Sequence, residues 1–221
     1  MKREIVETGD GSKTIRIVDL DENYHSSHGA LQEALHVFIK NGLLEFKEKS
    51  QISIFEMGFG TGLNAFLSGI KAYELKLKIE YSGVEAFPIS EDEIIALEYA
   101  QLVGDENVEL YKKIHSSSWE EMNEMTPFFD LKKIKNELQS LELKKESFDI
   151  IYYDAFGPRA QDEMWSVELF QKMYDSLKVG GFLVTYCAKG QVKRNMKEVG
   201  FTIEPLPGPP GKREMTRAWK K

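Results

Sequence analysis

Cysteine occurs once in these 221 residues, at Cys187, so no disulfide can form within the chain and the small disulfide-stapled folds are excluded. Histidine occurs four times, scattered without the spacing of a zinc site, and no metal is expected. No apolar run is long enough to cross a bilayer and no leader-like segment is recognisable, so the expected compartment is the cytoplasm, away from membranes. Repeats and low-complexity tracts are missing too. The chain also lacks a net positive charge: at a formal −7 it has no bulk attraction for nucleic acid, and only a local basic patch can serve that purpose. What remains is 42% hydrophobic and 29% charged, an ordinary globular composition in a chain long enough to bury one full core.

The apolar pattern divides the chain into two parts. In residues 1–50, Thr14–Val18 alternates weakly as a short strand or hairpin does, a polar loop covers 21–29, and a helix starts at Ala30 with Leu31, Leu35, Phe38 and Ile39 on one face. Asn41-Gly42 supplies its stop. These residues form an expected N-terminal extension, packed on a core over 51–221. The core alternates between periods. Strand 52–56 precedes helix 63–73, and strand 79–85 precedes a helix over 90–102 with a Ser90/Glu93 capping box. Residues 108–114 and 128–134 have strand character, and one or two helical turns are expected over 136–141. Phe148–Asp154 is a β-branched and aromatic strand of the kind buried on both faces. Helix 162–177, strand 182–187, helix 191–199 and strands 201–206 and 213–219 complete the pattern. Such alternation implies a Rossmann-like α/β fold, with a mostly parallel sheet and helices on both faces. Ligands then sit beyond the carboxyl ends of the strands, which selects Glu56, the residues after it, Glu85, Lys135, Asn136 and Asp154.

Glycine is concentrated where the first core strand ends: Glu56-Met57-Gly58-Phe59-Gly60-Thr61-Gly62-Leu63-Asn64. Three glycines at alternate positions permit positive φ and a close ligand approach, and the helix that follows directs free N–H groups at that ligand. The third glycine comes one residue too early for the dinucleotide fingerprint. An acid two places before the first glycine, followed by G-x-G-x-G, resembles motif I of the class I S-adenosylmethionine (SAM) methyltransferases. A ligand-free glycine turn is the plain alternative. Glu85, 23 residues beyond Gly62, stands where a carboxylate accepts two hydrogen bonds from a ribose diol.

Asp154 ends the strongest strand and opens Asp154-Ala155-Phe156-Gly157-Pro158. A carboxylate at the tip of an apolar strand is partly desolvated, and it can bind an amine, orient its lone pair and accept its proton. Capping of the next helix is the alternative, but Pro158 and further loop residues intervene. Tyr153, Phe156 and Trp165 offer a stacking wall for a planar base, although aromatics are more often core. Positive charge collects between 189 and 221. Lys189 and Arg194 follow a strand end on the ligand side, and Gly208–Glu214 is a stiff loop with Lys212 and Arg213 at its tip, suited to phosphate.

Taken together, Glu56–Asn64, Asp154–Pro158 with Met164-Trp165, and Gly211-Lys212-Arg213-Glu214-Met215 resemble a particular family. It is the SAM-dependent methyltransferases that complete 5-methylaminomethyl-2-thiouridine at the tRNA wobble position. The likeness extends to His28–Glu33 and Val37-Phe38-Ile39, and so covers most of the chain. In many bacteria this methyltransferase is one half of a bifunctional enzyme with an FAD-dependent oxidase. The resemblance implies a class I methyltransferase fold with a seven-stranded sheet, SAM as cofactor and the tRNA anticodon region as partner. By position, Glu56, Gly58, Phe59, Gly60, Gly62, Leu63, Asn64, Glu85, Ala86, Asn136, Asp154 and Ala155 would hold SAM, with Glu56 towards its amino-acid end. Asp154 would be the catalytic acid next to the aminomethyl group, and Phe156, Pro158, Trp165, Lys189, Arg194, Lys212 and Arg213 would meet RNA. No FAD-type fingerprint is present, so no FAD and a monofunctional chain are expected. The glycine-aspartate pair expected near adenine is missing, with Lys133–Asn136 in its approximate place. Alternatives are a methyltransferase of small-molecule or protein amines, an aminopropyl transferase using decarboxylated SAM, and a non-catalytic RNA-binding module.

Overall fold

The computed structural model describes residues 2–221. β1 (Arg3–Glu7) and β2 (Lys13–Ile17) form an antiparallel hairpin, with β3 (Glu22–Asn23) added beside β2. Its turn does a second job. Helix α1 (Ala30–Ala34) begins at Gly29, which has no side chain to cap it. The first-turn amides are satisfied from the hairpin instead: Ala30 N–H donates to Ser12 Oγ at 3.0 Å and Gln32 N–H to Asp10 Oδ2 at 2.9 Å. α1 continues as a π-helical segment, Leu35–Lys40, whose Val37, Phe38 and Ile39 are buried against the core.

β4 (Gln51–Met57) leads through the glycines into α2 (Leu63–Leu75), and β5 (Lys78–Val84) follows. The Ser90/Glu93 capping box is formed, but the expected helix over 90–102 breaks at Glu98, whose φ is +54°. It becomes α3 (Glu91–Leu97) and α4 (Tyr99–Val103). Residues 108–114 are helical, not a strand: in α5 (Val108–Ser116) Tyr111 and Ile114 are buried at a helical spacing of three. β6 (Met122–Thr126) and β7 (Phe129–Ile134) then form a hairpin. Residues 136–141 form hydrogen-bonded turns without a helix.

β8 (Phe148–Tyr153) is buried along almost all its length. A short 3-10 turn, Asp162–Trp165, precedes α6 (Val167–Ser176), whose N-terminus is capped by Ser166. Then come β9 (Leu177–Thr185), α7 (Gly190–Glu198) and an antiparallel pair, β10 (Thr202–Pro207) and β11 (Glu214–Trp219).

The main sheet has eight strands in the order β10-β11-β9-β8-β4-β5-β7-β6. The strand beyond the seven expected is β6, an antiparallel edge strand that buries only Met125 and so left little apolar alternation to read. β7, β5, β4, β8 and β9 are parallel to one another, while β6 runs against β7 and β11 against β9. Successive strands step outward from β4 to β5 and β7; the chain then returns to β8 and β9 on the other side of β4. The switch in strand order therefore lies between β4 and β8, and a crevice opens at their carboxyl ends. On one face the core joins Ile52 and Ile54 to Phe38, Phe66 and Tyr111; on the other it joins Phe55 and Ile151 to Phe170 and Met173. Among the described residues no helix is long and apolar enough to cross a membrane.

Candidate active site

Gly58, Gly60 and Gly62 all take left-handed conformations, with φ of +86°, +50° and +71°. At Gly58 the reason is steric as well: a Cβ there would stand 2.4 Å from the Asp154 carbonyl oxygen. The glycine loop and the end of β8 are thus in direct backbone contact, joined also by the Asp154 N–H donating to the Met57 carbonyl at 3.0 Å. Glu85, just beyond β5, holds the loop from the opposite side. Its Oε2 accepts the Gly60 N–H and its Oε1 the Phe87 N–H, each at 2.8 Å.

These strand ends surround a cavity of about 290 Å³. Gly58, Phe59, Gly60, Leu63 and Asn64 line it on the loop side, Glu85, Ala86 and Asn136 across from them, and Asp154, Ala155 and Phe156 at the end of β8. Phe87, 54% exposed, offers an aromatic face at the rim. The N-terminal sheet closes the top with Ile17, Leu20, Tyr24 and His25. It is fastened to both walls. Arg3 donates to the Phe87 carbonyl at 2.7 Å, Arg159 pairs with Glu22 at 2.8 Å, and the Tyr24 ring meets Phe156 edge-on at 5.3 Å. Burial holds His25 down at about 4, so it is neutral at ordinary pH, with Nδ1 2.9 Å from Thr14 Oγ1.

Asn64, in the first turn of α2, connects two acids. Its Nδ2 donates to Glu56 Oε1 at 2.8 Å and to Asp154 Oδ2 at 2.9 Å. Asn64 Oδ1 is buried at the cavity wall without a partner. Burial, aided by the negative charge of Glu33, pushes the Asp154 carboxyl up to about 7, against the Asn64 hydrogen bond and the charge of Lys212. A carboxyl at that value is half ionised near neutrality, the condition for accepting and releasing protons there.

Not every residue selected from the sequence reaches the cavity. Glu56 lies beneath it, fully buried, and Gly62 is turned towards His115 and Phe59. Trp165 is only 2% exposed. It packs on Tyr153 and Phe170, and its Nε1–H donates to the Phe156 carbonyl at 2.8 Å, so it supports the loop from behind and has no free face for stacking. Pro158 lies outside the cavity lining, as does Lys133, which is buried beneath Trp119 and donates to the His115 carbonyl at 2.8 Å. Lys189, Arg194 and Arg213 are exposed. Lys212 turns inward instead, 2.5 Å from Glu33 Oε1 and 3.8 Å above the Tyr186 ring, while the Tyr186 hydroxyl donates to the Ala155 carbonyl at 2.8 Å. Sequence reasoning gave no role to Glu33, Tyr24 or His25. Glu33 had a signal, an acid on a short apolar helix that ends up buried; Tyr24 and His25 sit in a polar loop that has none.

A family model described as S-adenosyl-L-methionine-dependent methyltransferase matches residues 107–221, just over half of the chain. Among curated proteins, the tRNA 5-methylaminomethyl-2-thiouridine biosynthesis bifunctional protein MnmC of Cupriavidus metallidurans is 31% identical over 214 residues, covering 90% of this chain and 31% of that protein. The protein of the same name from Leptospira interrogans is 29% identical over 214 residues, covering 88% and 32%. The chain therefore spans about a third of the length of these relatives. Among solved structures, MnmC2 from Aquifex aeolicus superposes with a TM-score of 0.77 at 24% identity, covering 100% of this chain and 70% of that one, a likeness of fold.

Proposed function

Since the chain belongs to the S-adenosyl-L-methionine-dependent methyltransferase family, with SAM as its cofactor, we propose that it methylates the aminomethyl nitrogen of 5-aminomethyl(-2-thio)uridine at the tRNA wobble position. The observation that carries this reading is Asp154: a carboxyl pushed up to about 7, on the cavity wall, with the basic 208–213 loop nearby through Lys212. The names of the similar proteins, which refer to biosynthesis of that modified uridine, support the choice of substrate.

The residues present suit the cofactor. Glu85 has acceptor capacity left on both oxygens for a ribose diol, and the left-handed glycine loop leaves room for a close approach. The unpartnered Asn64 Oδ1 is an acceptor at the wall, matched to the ammonium of the amino-acid end. Phe87 and Leu138 supply apolar surface for a base. When bound, SAM supplies an electrophilic methyl group on a sulfonium. The chain's own residues handle the amine. An aminomethyl group arrives largely protonated and must lose a proton before nitrogen can attack. Asp154, once ionised, pairs with that ammonium, orients it and takes its proton before attack. The free amine then forms the N–methyl bond as the S–methyl bond breaks, leaving a secondary ammonium. The N-terminal sheet excludes water from above. Arg213, Lys189 and Arg194 are the exposed cations proposed to meet the phosphates of the anticodon region, on a protein otherwise acidic.

The test uses purified protein, SAM labelled on its methyl group, and two pools of tRNA. One carries wobble 5-aminomethyluridine without its terminal methyl; the other is already methylated. Label entering only the first pool, at the wobble nucleoside, is the expected result. Cofactor binding without label in either pool would transfer the reading to a small-molecule or protein amine, which the net charge of −7 favours. Preference for decarboxylated SAM would identify an aminopropyl transferase.

A further inference from the structure

The acid before the glycine loop has no access to the cavity. Glu56 is fully buried, and its Oε2 has no hydrogen-bond partner. Among the described residues no lysine, arginine or histidine pairs with it. Its one well-formed hydrogen bond is from the Asn64 amide at 2.8 Å, that amide also donates to Asp154 at 2.9 Å, and the neutral Tyr81 hydroxyl adjoins it. Two carboxyls therefore share a single neutral side chain. The groups facing Glu56 are Asp154 and Tyr152 from β8, Tyr81 and Glu85 from β5 and its end, and Asn64 from α2. None is a cation, and the Tyr81 hydroxyl is itself buried without a partner. Facing Asp154 are Asn64, Glu33, Tyr186 and Lys212, the last already paired with Glu33.

Two ionised carboxylates cannot be accommodated in such surroundings; like charge and burial both oppose the second one. The deeper site keeps the proton. Burial foremost, and then the Asp154 charge, push Glu56 well above the usual carboxylate range against the Asn64 hydrogen bond and the pull of the Tyr81 hydroxyl, whereas Asp154 borders the cavity. We propose that Glu56 works as a neutral carboxylic acid that anchors Asn64, and that Asn64 is the positioning residue that holds Asp154 as the ionised acceptor at the cavity wall. Glu56 is then not the counter-charge of the cofactor's ammonium, which meets Asn64 Oδ1 instead. The catalytic consequence rests on the methyltransferase reading above; the protonation state does not.

The experiment is a carbon-13 NMR titration of the cofactor-free full chain, labelled at aspartate and glutamate carboxyls, from pH 5 to 9. The Glu56 resonance is expected to remain at the protonated position while Asp154 titrates near neutrality. Asn64→Ala should move the Asp154 midpoint upward, since it deletes the hydrogen bond that favours the ionised form. Calorimetry with SAM supplies the second readout. Glu56→Ala, which releases Asn64, should weaken binding on the order of tenfold and displace the Asp154 midpoint, and Glu56→Gln should recover most of both. A Glu56 resonance already ionised at pH 5 would overturn the proposal, and so would failure of Glu56→Gln to rescue in a protein of wild-type melting temperature. If the wild-type protein methylates no tRNA, these measurements still decide the state of Glu56.

Discussion

Lys212 crosses from the β10–β11 loop to pair with Glu33 on α1 at 2.5 Å, and both charges act on Asp154 with opposite signs. Glu33 favours the protonated aspartate and Lys212 the ionised one. Lys212→Met should therefore shift the Asp154 midpoint above about 7 and move the rising limb of the pH–turnover profile to the alkaline side. Glu33→Gln should move it to the acid side. Opposite shifts in single-turnover profiles between pH 5.5 and 9 are the expected outcome; shifts of the same sign would remove the pair from the electrostatics of Asp154.

Asp154→Asn should lower turnover by at least about 100-fold while SAM affinity stays within a few-fold, since the side chain would keep its size but could not take a proton. The same substitution has a stability signature. The folded-state value is raised from 3.8 to about 7, so native Asp154 binds its proton more tightly than the unfolded chain. Its stabilising contribution is complete below about pH 4 and is lost as pH rises through 7. The variant should therefore be more stable than wild type at pH 8, by a few kcal/mol at most, with the gap closing towards pH 4. Thermal melts across that range provide the check.

Glu85→Ala releases both the Gly60 and the Phe87 amides and removes the ribose acceptor. Weakening of SAM binding by roughly 10- to 100-fold is expected from loss of hydrogen bonds to a charged group. Isothermal titration measures it directly, and unchanged affinity would take Glu85 out of cofactor recognition.

Gly58→Ala places a methyl group 2.4 Å from a backbone carbonyl at a φ of +86°. Strain and clash together should cost about 3 kcal/mol or more, visible in urea unfolding. Gly11→Ala is a suitable control, since nothing lies within 4 Å of the added atom although φ is +80°. It should cost clearly less.

Arg213→Ala, Lys189→Ala and Arg194→Ala should each weaken tRNA binding without altering SAM affinity. Each lost phosphate contact should also reduce the slope of log affinity against log salt by about one unit or less. Equal salt dependence in the triple variant and the wild type would place the RNA elsewhere.

The parts of the site that could be read in advance lie at strand ends. Glu56, Glu85 and Asp154 each terminate an apolar run, and the doubly wound pattern brings such termini together whatever the loops do. The consequences of depth were not legible. Nothing in Glu56-Met57-Gly58 says that the acid lies under the cavity, because that depends on Asn64 folding back over it from the first turn of α2. Trp165 and Lys212 failed as open contacts for a related reason: a large ring finds a pocket, and a long amine finds the nearest buried carboxylate. Residues 108–114, expected to have strand character, are helical: the spacing of three between the buried Tyr111 and Ile114 matches a helix face. The Glu98 break also has no residue signal: no glycine or proline marks it, and Leu97 and Tyr99 on either side are both buried.

The two free margins of the main sheet are poor templates for a visiting strand. β10 contains Pro205 and Pro207, which have no N–H to donate, and β6 is distorted by a register shift between Glu124 and Thr126. Runaway edge-to-edge polymerisation is thus discouraged at both margins, even in partly unfolded chains where sheet edges are most exposed. The tip of the β10–β11 hairpin benefits as well. With no foreign strand invited alongside it, the segment carrying Arg213 projects from a margin built to repel other sheets, and stays free for a ligand whose recognition needs no backbone ladder.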